Sequence, residues 1–402
     1  MKESFYIYIK RIQTGLSQVA YNRNQELKAI IHDSGAILIL FLALIIYPII
    51  YSIAYKNEVL KESEIAVIDL DKSSLSRTYS RMLDATEQIH VTYKLESLLE
   101  AESLFYEGKI KGIILIPNDF EKRVLQNKQS QVIVYADASY VLIYKQLYSG
   151  AVAATSTLSA GIEVKQLVAN GNTFTQAVEK LSPLDISTYQ LYNPAAGYAT
   201  FIIPAIILIA MQQTLLIGIG LVGGTFKEKN KKISQRGGAF TIIAGKTLTY
   251  LIIYVINSFT AFLLIYSWFD YPDKGGFLQS FFVLIPYFLS TIFLGFIVSV
   301  LFKKRVHSLL FLVFLSPIVL FVSGISWPIE ALPKIIHVLS YIFPSTLAVP
   351  AFLKLKIQGS DFSSFETELD GLILQMIIYF LGAIIIYAYN LKKVNKVIEI
   401  QE

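Results

Sequence analysis

Side chains capable of covalent, redox or metal chemistry are sparse in this chain. It has no cysteine, so a thiolate nucleophile, a disulfide framework and a Cys-based metal site are excluded. His32, His90, His307 and His337 are scattered, and none has a second histidine four residues away on the same helix face. Gly245-Lys246-Thr247 has the residues that close a phosphate-binding loop. That loop needs a glycine five residues before Gly245, where Phe240 stands, so the tripeptide reads as the entry to an apolar helix with an interfacial lysine. Ser323-Gly324-Ile325-Ser326-Trp327 half resembles a nucleophile elbow but sits where a long apolar run ends. Asp69 and Asp71 lack a third carboxylate at metal-binding spacing and read as a strand-end turn. No enzyme activity, no metal and no cofactor are expected on this chain.

What has to be positioned is therefore a set of apolar elements. Of the 402 residues, 54% are apolar and 16% charged, against about a quarter charged in soluble domains. Six uncharged runs are long enough to cross hydrocarbon as helices: 34–55, 186–226, 247–269, 275–302, 306–329 and 371–391. The second is overlong, so its helix is expected to start near Pro194 and to kink at Pro204. The first run is too long for a cleavable signal peptide, and no small-residue cleavage site follows it.

Basic residues sit in the short loops, which is a topology signal and not a nucleic-acid footprint. One side holds Lys2, Lys10, Arg11, Arg23 and Lys28, then Lys227, Lys229, Lys231, Lys232, Arg236 and Lys246, then Lys303–Arg305, and Lys392, Lys393 and Lys396. The opposite short loops hold Lys274, Lys334, Lys354 and Lys356. Both termini are then cytoplasmic, and residues 56–192 lie outside. The run 335–353 is also uncharged but carries Pro344 and Pro350. A seventh span there would put Lys392, Lys393 and Lys396 outside. The reading adopted is a re-entrant or interfacial hairpin on the outer side, within 328–353.

The external segment alternates β-type runs at 64–69, 88–93, 110–116 and 132–135 with helical stretches at 74–86, 96–107 and 118–127. This predicts an α/β sheet with packed helices, with Asn118 as an N-cap. Residues 140–182 read as helix, rich in small residues over 151–160 and broken at Asn170-Gly171-Asn172; residues 185–192 read as a returning strand. At about 135 residues the segment is long enough for one core. The expected fold class is thus an α-helical polytopic membrane protein with six transmembrane helices and an inserted extracytoplasmic α/β domain.

Before the first span, Phe5, Ile9, Ile12, Leu16 and Val19 recur at helical spacing, with the basic residues mostly elsewhere. This fits an interfacial helix, read either as a surface anchor or as a docking element for a cytoplasmic partner. No Asp, Glu, Lys or Arg lies inside the six runs as bounded above, which disfavours an ion-coupled carrier. No cytoplasmic segment is long enough for an ATPase domain. Any pumping must draw its energy from another chain.

An ordered set of motifs resembles the ABC-2 type exporter permeases with a large external domain between the first two spans. It comprises Tyr47-Pro48 in the first span and Gly108-Lys109-Ile110-Lys111-Gly112-Ile113-Ile114-Leu115-Ile116-Pro117 before Asp119-Phe120. It continues with Asn193-Pro194, Gly224-Thr225-Phe226-Lys227-Glu228, Gly245-Lys246, Ser323-Gly324-Ile325-Ser326-Trp327-Pro328, Leu332-Pro333 and Phe343-Pro344-Ser345-Thr346.

The resemblance implies a dimer in the bacterial cytoplasmic (inner) membrane working with a separate ATP-binding cassette subunit, which would hold the ATP and Mg. It makes residues 1–33 a connecting helix, 34–55 the first span, and 193–391 the remaining spans, with a cytoplasmic tail at 392–402. It makes 224–246 the ATPase-coupling loop, through Thr225, Phe226, Lys227, Glu228, Lys231, Lys232, Ile233 and Arg236. Ser323, Gly324, Trp327, Pro328 and Pro333 become an outer gate or exit. A periplasmic membrane-fusion adaptor and an outer-membrane channel are further expected partners, and no nucleic acid is. The chain departs from the pattern at Leu221-Val222-Gly223, where many members are more acidic. The expected activity is ATP-driven export of a hydrophobic or amphipathic cargo such as a drug, lipid or lipopeptide. The alternative from another class is a membrane-anchored surface receptor without transport.

Overall fold

The computed structural model describes residues 2–56, 60–181, 191–193, 197–228 and 235–401, with side chains from 10 to 392 within those ranges. The expected returning strand at 185–192 falls largely outside the described residues, as does Pro194. The chain divides into two compact units, one of residues 1–58 and 190–402 and the other of residues 59–189.

The first unit begins with helix α1 (Lys2–Ile31) and the span α2 (Ser34–Ala54). Asp33 starts α2: its Oδ1 accepts the backbone N–H groups of Gly35 and Ala36, both at 3.1 Å. That satisfies donors which a helix N-terminus otherwise leaves unpaired.

The second unit holds β1 (Ser63–Asp69), α3 (Ser74–Asp84), β2 (Ile89–Leu95), α4 (Leu98–Tyr106), β3 (Gly112–Ile116), α5 (Phe120–Leu125), β4 (Ile133–Ala136), α6 (Val141–Ala169) and α7 (Phe174–Leu181). The sheet order is β2-β1-β3-β4; β1 is parallel to β2 and β3, and β4 is antiparallel to β3. The period of two is visible in what each face buries. Ile65, Val67, Ile114 and Ile116 pack with α3, α5 and α6 on one face, and Ala66, Ile68 and Ile113 with α4 on the other.

Glycines set the approach to β3. Gly108, at φ +75°, ends α4, and the N–H of Lys109 donates back to Leu104 O at 3.0 Å. A Cβ on Gly112 would lie 2.8 Å from Tyr135 O, so only glycine lets β4 pair this closely there.

Asp69 and Asp71 order the turn after β1. Asp69 Oδ1 accepts the N–H groups of Asp71 and Lys72, and its Oδ2 accepts the Ser76 hydroxyl. Asp71 accepts the N–H groups of Phe120 (2.9 Å) and Glu121 (3.1 Å). It therefore caps α5 from across the fold. Asn118 is not the N-cap; Asp119 holds that position in a left-handed conformation with no side-chain cap of its own.

The first unit resumes with α8 (Tyr198–Glu228), α9 (Ala239–Trp268), α10 (Phe277–Ser299), α11 (Arg305–Val322), α12 (Lys334–Ser340), α13 (Ser345–Gln358) and α14 (Glu366–Gln401). Among the described residues six helices, namely α2, α8, α9, α10, α11 and α14, are long and apolar enough to cross a membrane. The span α8 is buried almost throughout and forms the centre of the unit, whereas α2, α11 and α14 present mostly exposed faces. Pro204 lies inside α8 without interrupting it.

The pair α12–α13 is bent by 86°. Its arms are about 10 and 21 Å long at 1.5 Å per residue, each short of a bilayer's hydrocarbon thickness. Ser345 at the bend is tied to the middle of α8: its N–H donates to Gln212 Oε1 at 2.8 Å, and Gln212 Nε2 donates to its hydroxyl at 3.1 Å.

Candidate functional site: a polar junction at the basic end of the spans

Two of the expected coupling residues, both exposed, bond to neighbouring helix ends. Lys227 Nζ, on the last turn of α8, donates to the carbonyls of Ser299 (3.1 Å), Val300 (2.9 Å) and Phe302 (3.0 Å). These are acceptors that the end of α10 leaves free, and a cation suits a helix C-terminus. Glu228 Oε2 accepts the N–H of Arg305 at 3.3 Å, at the start of α11. One helix end thus closes two others.

Thr225 joins a second cluster. Arg305 grips Asp33 with both guanidinium nitrogens, Nη1 to Oδ2 at 2.7 Å and Nη2 to Oδ1 at 2.8 Å. The Thr225 hydroxyl donates to the same Oδ2 at 3.2 Å. A fork-to-fork pair of this kind is directional as well as strong. Burial pushes the Asp33 carboxyl up, but the Ala36 N–H and the Arg305 guanidinium outweigh it and hold the group below the ordinary carboxylate range. Gly35 leaves the space for this: a Cβ there would overlap the Arg305 side chain. Gly224 does the same one helix over, where a Cβ would lie 2.8 Å from Arg305 Cα. Phe226 is part-buried against the main core.

The third cluster corrects the sequence reading. Helix α9 begins at Ala239, not Thr247, so Gly245-Lys246 lies two turns inside it and does not close a loop. Lys246 is 6% exposed, and its Nζ lies 2.9 Å from Oε2 of Glu26, itself 2% exposed. The Tyr250 hydroxyl donates to Glu26 Oε1 at 2.9 Å, and the ammonium lies 5.9 Å from the centre of the Tyr387 ring. A lysine at this depth needs all of these partners, since a buried unpaired charge is costly. The third membrane helix therefore carries a buried charge, Lys246, just before the uncharged run that begins at Thr247.

Around it α1 is stitched to α9. Asn22 Nδ2 donates to Arg236 O (2.9 Å), and Arg236 N–H donates back to Asn22 Oδ1 (3.0 Å). Thr249 donates to Arg23 O (3.1 Å), and the Arg236 guanidinium lies 4.1 Å above the Tyr21 ring. Gly245 permits the contact; a Cβ there would lie 2.7 Å from Val19 O. The face of α1 that packs is thus the polar one, Asn22 and Glu26 with Ile30. Of the apolar stripe, Ile12 and Leu16 are exposed, as an interfacial helix requires, and the side chains of Phe5 and Ile9 lie outside the described set.

Lys231, Lys232 and Ile233 lie outside the described residues. Thr225, Lys227, Glu228 and Arg236 are brought together with residues the sequence reading did not single out for this role: Asn22, Glu26, Asp33, Lys246 and Arg305. One available signal was the spacing of Asn22, Glu26 and Ile30, which puts polar groups on a single helical stripe.

The other expected group sits elsewhere. Ser323 ends α11, opposite Arg305 at its start, about 27 Å away along an 18-residue helix. Ser323 is buried and donates to Leu320 O at 2.8 Å; Gly324 takes φ +84° against Ile329; Trp327 is exposed. Pro328 and Pro333 each precede a short helical turn. The two groups are not one site.

A multi-pass helical membrane protein with a mixed-sheet insertion between its first two spans is the class these elements define. The sequence profile described as ABC-2 family transporter protein matches residues 35–388, and the chain belongs to that family. The chain is also similar to the "Probable multidrug ABC transporter permease YbhS" of Escherichia coli strain K12 and to the protein of the same description in strain O157:H7. Each is 24% identical over 270 residues, covering 63% of this chain and 66% of the relative, just under two thirds of its length.

Proposed function

We propose that the chain is the membrane permease of an ABC-type exporter, moving a hydrophobic or amphipathic molecule out of the cytoplasm or inner leaflet. The observation that carries this is the family match over residues 35–388, which runs from the start of the first candidate span into the last. In this reading the ATP and Mg belong to a separate ATP-binding cassette subunit, and a second permease copy or paralogue completes the membrane pore. The lysine and arginine distribution supports an orientation with both termini and the basic end of the spans cytoplasmic, and the family match supports a bacterial inner membrane. The sheet-containing unit is then extracytoplasmic, and α12–α13 is a re-entrant hairpin beside the outer exit at Ser323–Pro333. A periplasmic adaptor and outer-membrane channel would continue the path.

The junction supplies the coupling. Because α1 is stitched to α9, and α2 to α11 and α8, a push on the cytoplasmic surface moves helix ends and not a loose loop. Thr225, Lys227 and Glu228 act as internal ties, while the basic segment that follows α8 meets the ATPase.

Replacing Lys229, Lys231 and Lys232 together by Gln tests this. Insertion should be unchanged, because the other basic loops hold the topology. Co-purification of the ATPase subunit should weaken, most at low salt, since charges across an interface act through screened attraction. A triple variant that binds and stimulates the ATPase like its parent at every salt concentration would remove the segment from the interface.

A further inference from the structure

The small-residue stretch of α6 has a consequence in the second unit. Along one face of the helix, Tyr144, Tyr148, Val152, Ser156, Ser159 and Glu163 line a cleft of about 810 Å3. The opposite wall is the outer part of the sheet, Val132, Val134 and Ala136, with Phe120 and Val124 of α5 and the turn 127–130. From Tyr144 to Gln166 the cleft follows α6 for roughly 33 Å. That volume over that length is a trough wide enough for one extended chain. It is open because serine, threonine and alanine stand where a helix packed on a sheet would otherwise carry leucine.

The lining is amphipathic. The Tyr144 and Tyr148 rings stack at 6.0 Å and give a flat apolar wall. The Tyr79 and Thr155 hydroxyls share a hydrogen bond at 2.8 Å on the floor. The Ser130 hydroxyl is buried without a partner among the described residues, and buried polar atoms in native proteins are normally paired. Lys128 and Glu163 supply one charge of each sign, and neither forms an ion pair among the described residues. A second strand is a poor occupant, because the edge strand β4 offers four residues and α6 covers its inner face.

We infer that this cleft is a binding site for an elongated amphiphile of no net charge, its apolar body against the tyrosines and valines and its polar end at the hydroxyl groups, Lys128 and Glu163. The volume falls in the range of small-molecule sites. The site lies wholly within residues 59–189, and it stands whether or not the spans export anything.

The absence of cysteine makes the test direct. Ser156→Cys places a thiol in the cleft, and Thr157→Cys places one on the same helix outside its lining. Each full-length variant, reconstituted in lipid nanodiscs, is reacted with a soluble maleimide while dihexanoylphosphatidylcholine is titrated in. Labelling at position 156 should slow saturably, by about tenfold once the probe exceeds its Kd roughly tenfold, while labelling at 157 is unchanged. Adding Ser159→Trp, or Val152→Trp where that variant does not fold, should fill the trough and restore the fast rate. Phosphocholine alone should not protect. No protection by the zwitterionic amphiphile overturns the inference. So does equal protection by the anionic phosphatidylglycerol analogue or at 157, or protection that rises with protein concentration without probe, which would mean a second copy occupies the cleft.

Discussion

Glu26 and Lys246 place opposite charges in a helix contact that the chain could have made with apolar side chains. A buried pair of this kind adds little net stability over an apolar replacement, but losing one member leaves the other unpaired, at a cost of about 3–5 kcal/mol. Lys246→Met should therefore lower the thermal aggregation midpoint of the detergent-solubilised protein sharply, and Glu26→Gln with Lys246→Met together should recover most of it. A double variant no better than the single one would show that the ammonium is held by something other than Glu26. Asp33 adds a pH dependence of definite sign. Its folded pKa is depressed, so its contribution is complete above the ordinary carboxylate value and is lost as pH falls through the lower folded one. Stability measured against pH should hold on acidification to about pH 4 and then fall, with a smaller drop in Asp33→Asn.

At the scale of elements, the approach of α8 to α11 depends on which glycine faces which helix. A Cβ on Gly224 would lie 2.8 Å from the Arg305 backbone, whereas on Gly223 the nearest atom is Ser299 Cβ at 3.5 Å, an ordinary contact. Gly224→Ala should then cost about 1–3 kcal/mol through overpacking and loosen the Asp33–Arg305 pair, while Gly223→Ala changes little. Comparing the unfolding midpoints of the two checks this; equal effects would mean helix propensity, not the crossing, sets the cost. The elements themselves were largely legible. Strands β1 to β4 fall within about two residues of the β-branched runs, because each must present alternating faces to two layers. The break between α6 and α7 follows from Asn170-Gly171-Asn172. The start of α9 is not legible, because a lysine at 246 reads as the end of a loop and composition alone does not show that Glu26, over two hundred residues earlier, neutralises it. The cap of α5 was misassigned for the same reason, since Asp71 reaches it from another part of the chain.

For the whole molecule, the family and the number of candidate spans were readable from apolar runs and ordered motifs, since a span needs length and apolarity whatever its neighbours. The internal ties of Thr225, Lys227 and Glu228 were not, since each acts on a helix end distant in sequence. We propose that these ties serve ATP-driven export. Its most direct measurement uses inside-out vesicles holding the chain with its ATP-binding subunit and an amphipathic fluorescent dye outside. The account predicts dye accumulation that needs ATP hydrolysis, persists when the proton gradient is collapsed, and disappears when the ATPase is inactivated. Accumulation driven by a proton gradient without ATP, or none in vesicles whose assembled complex hydrolyses ATP in response to the dye, would contradict it.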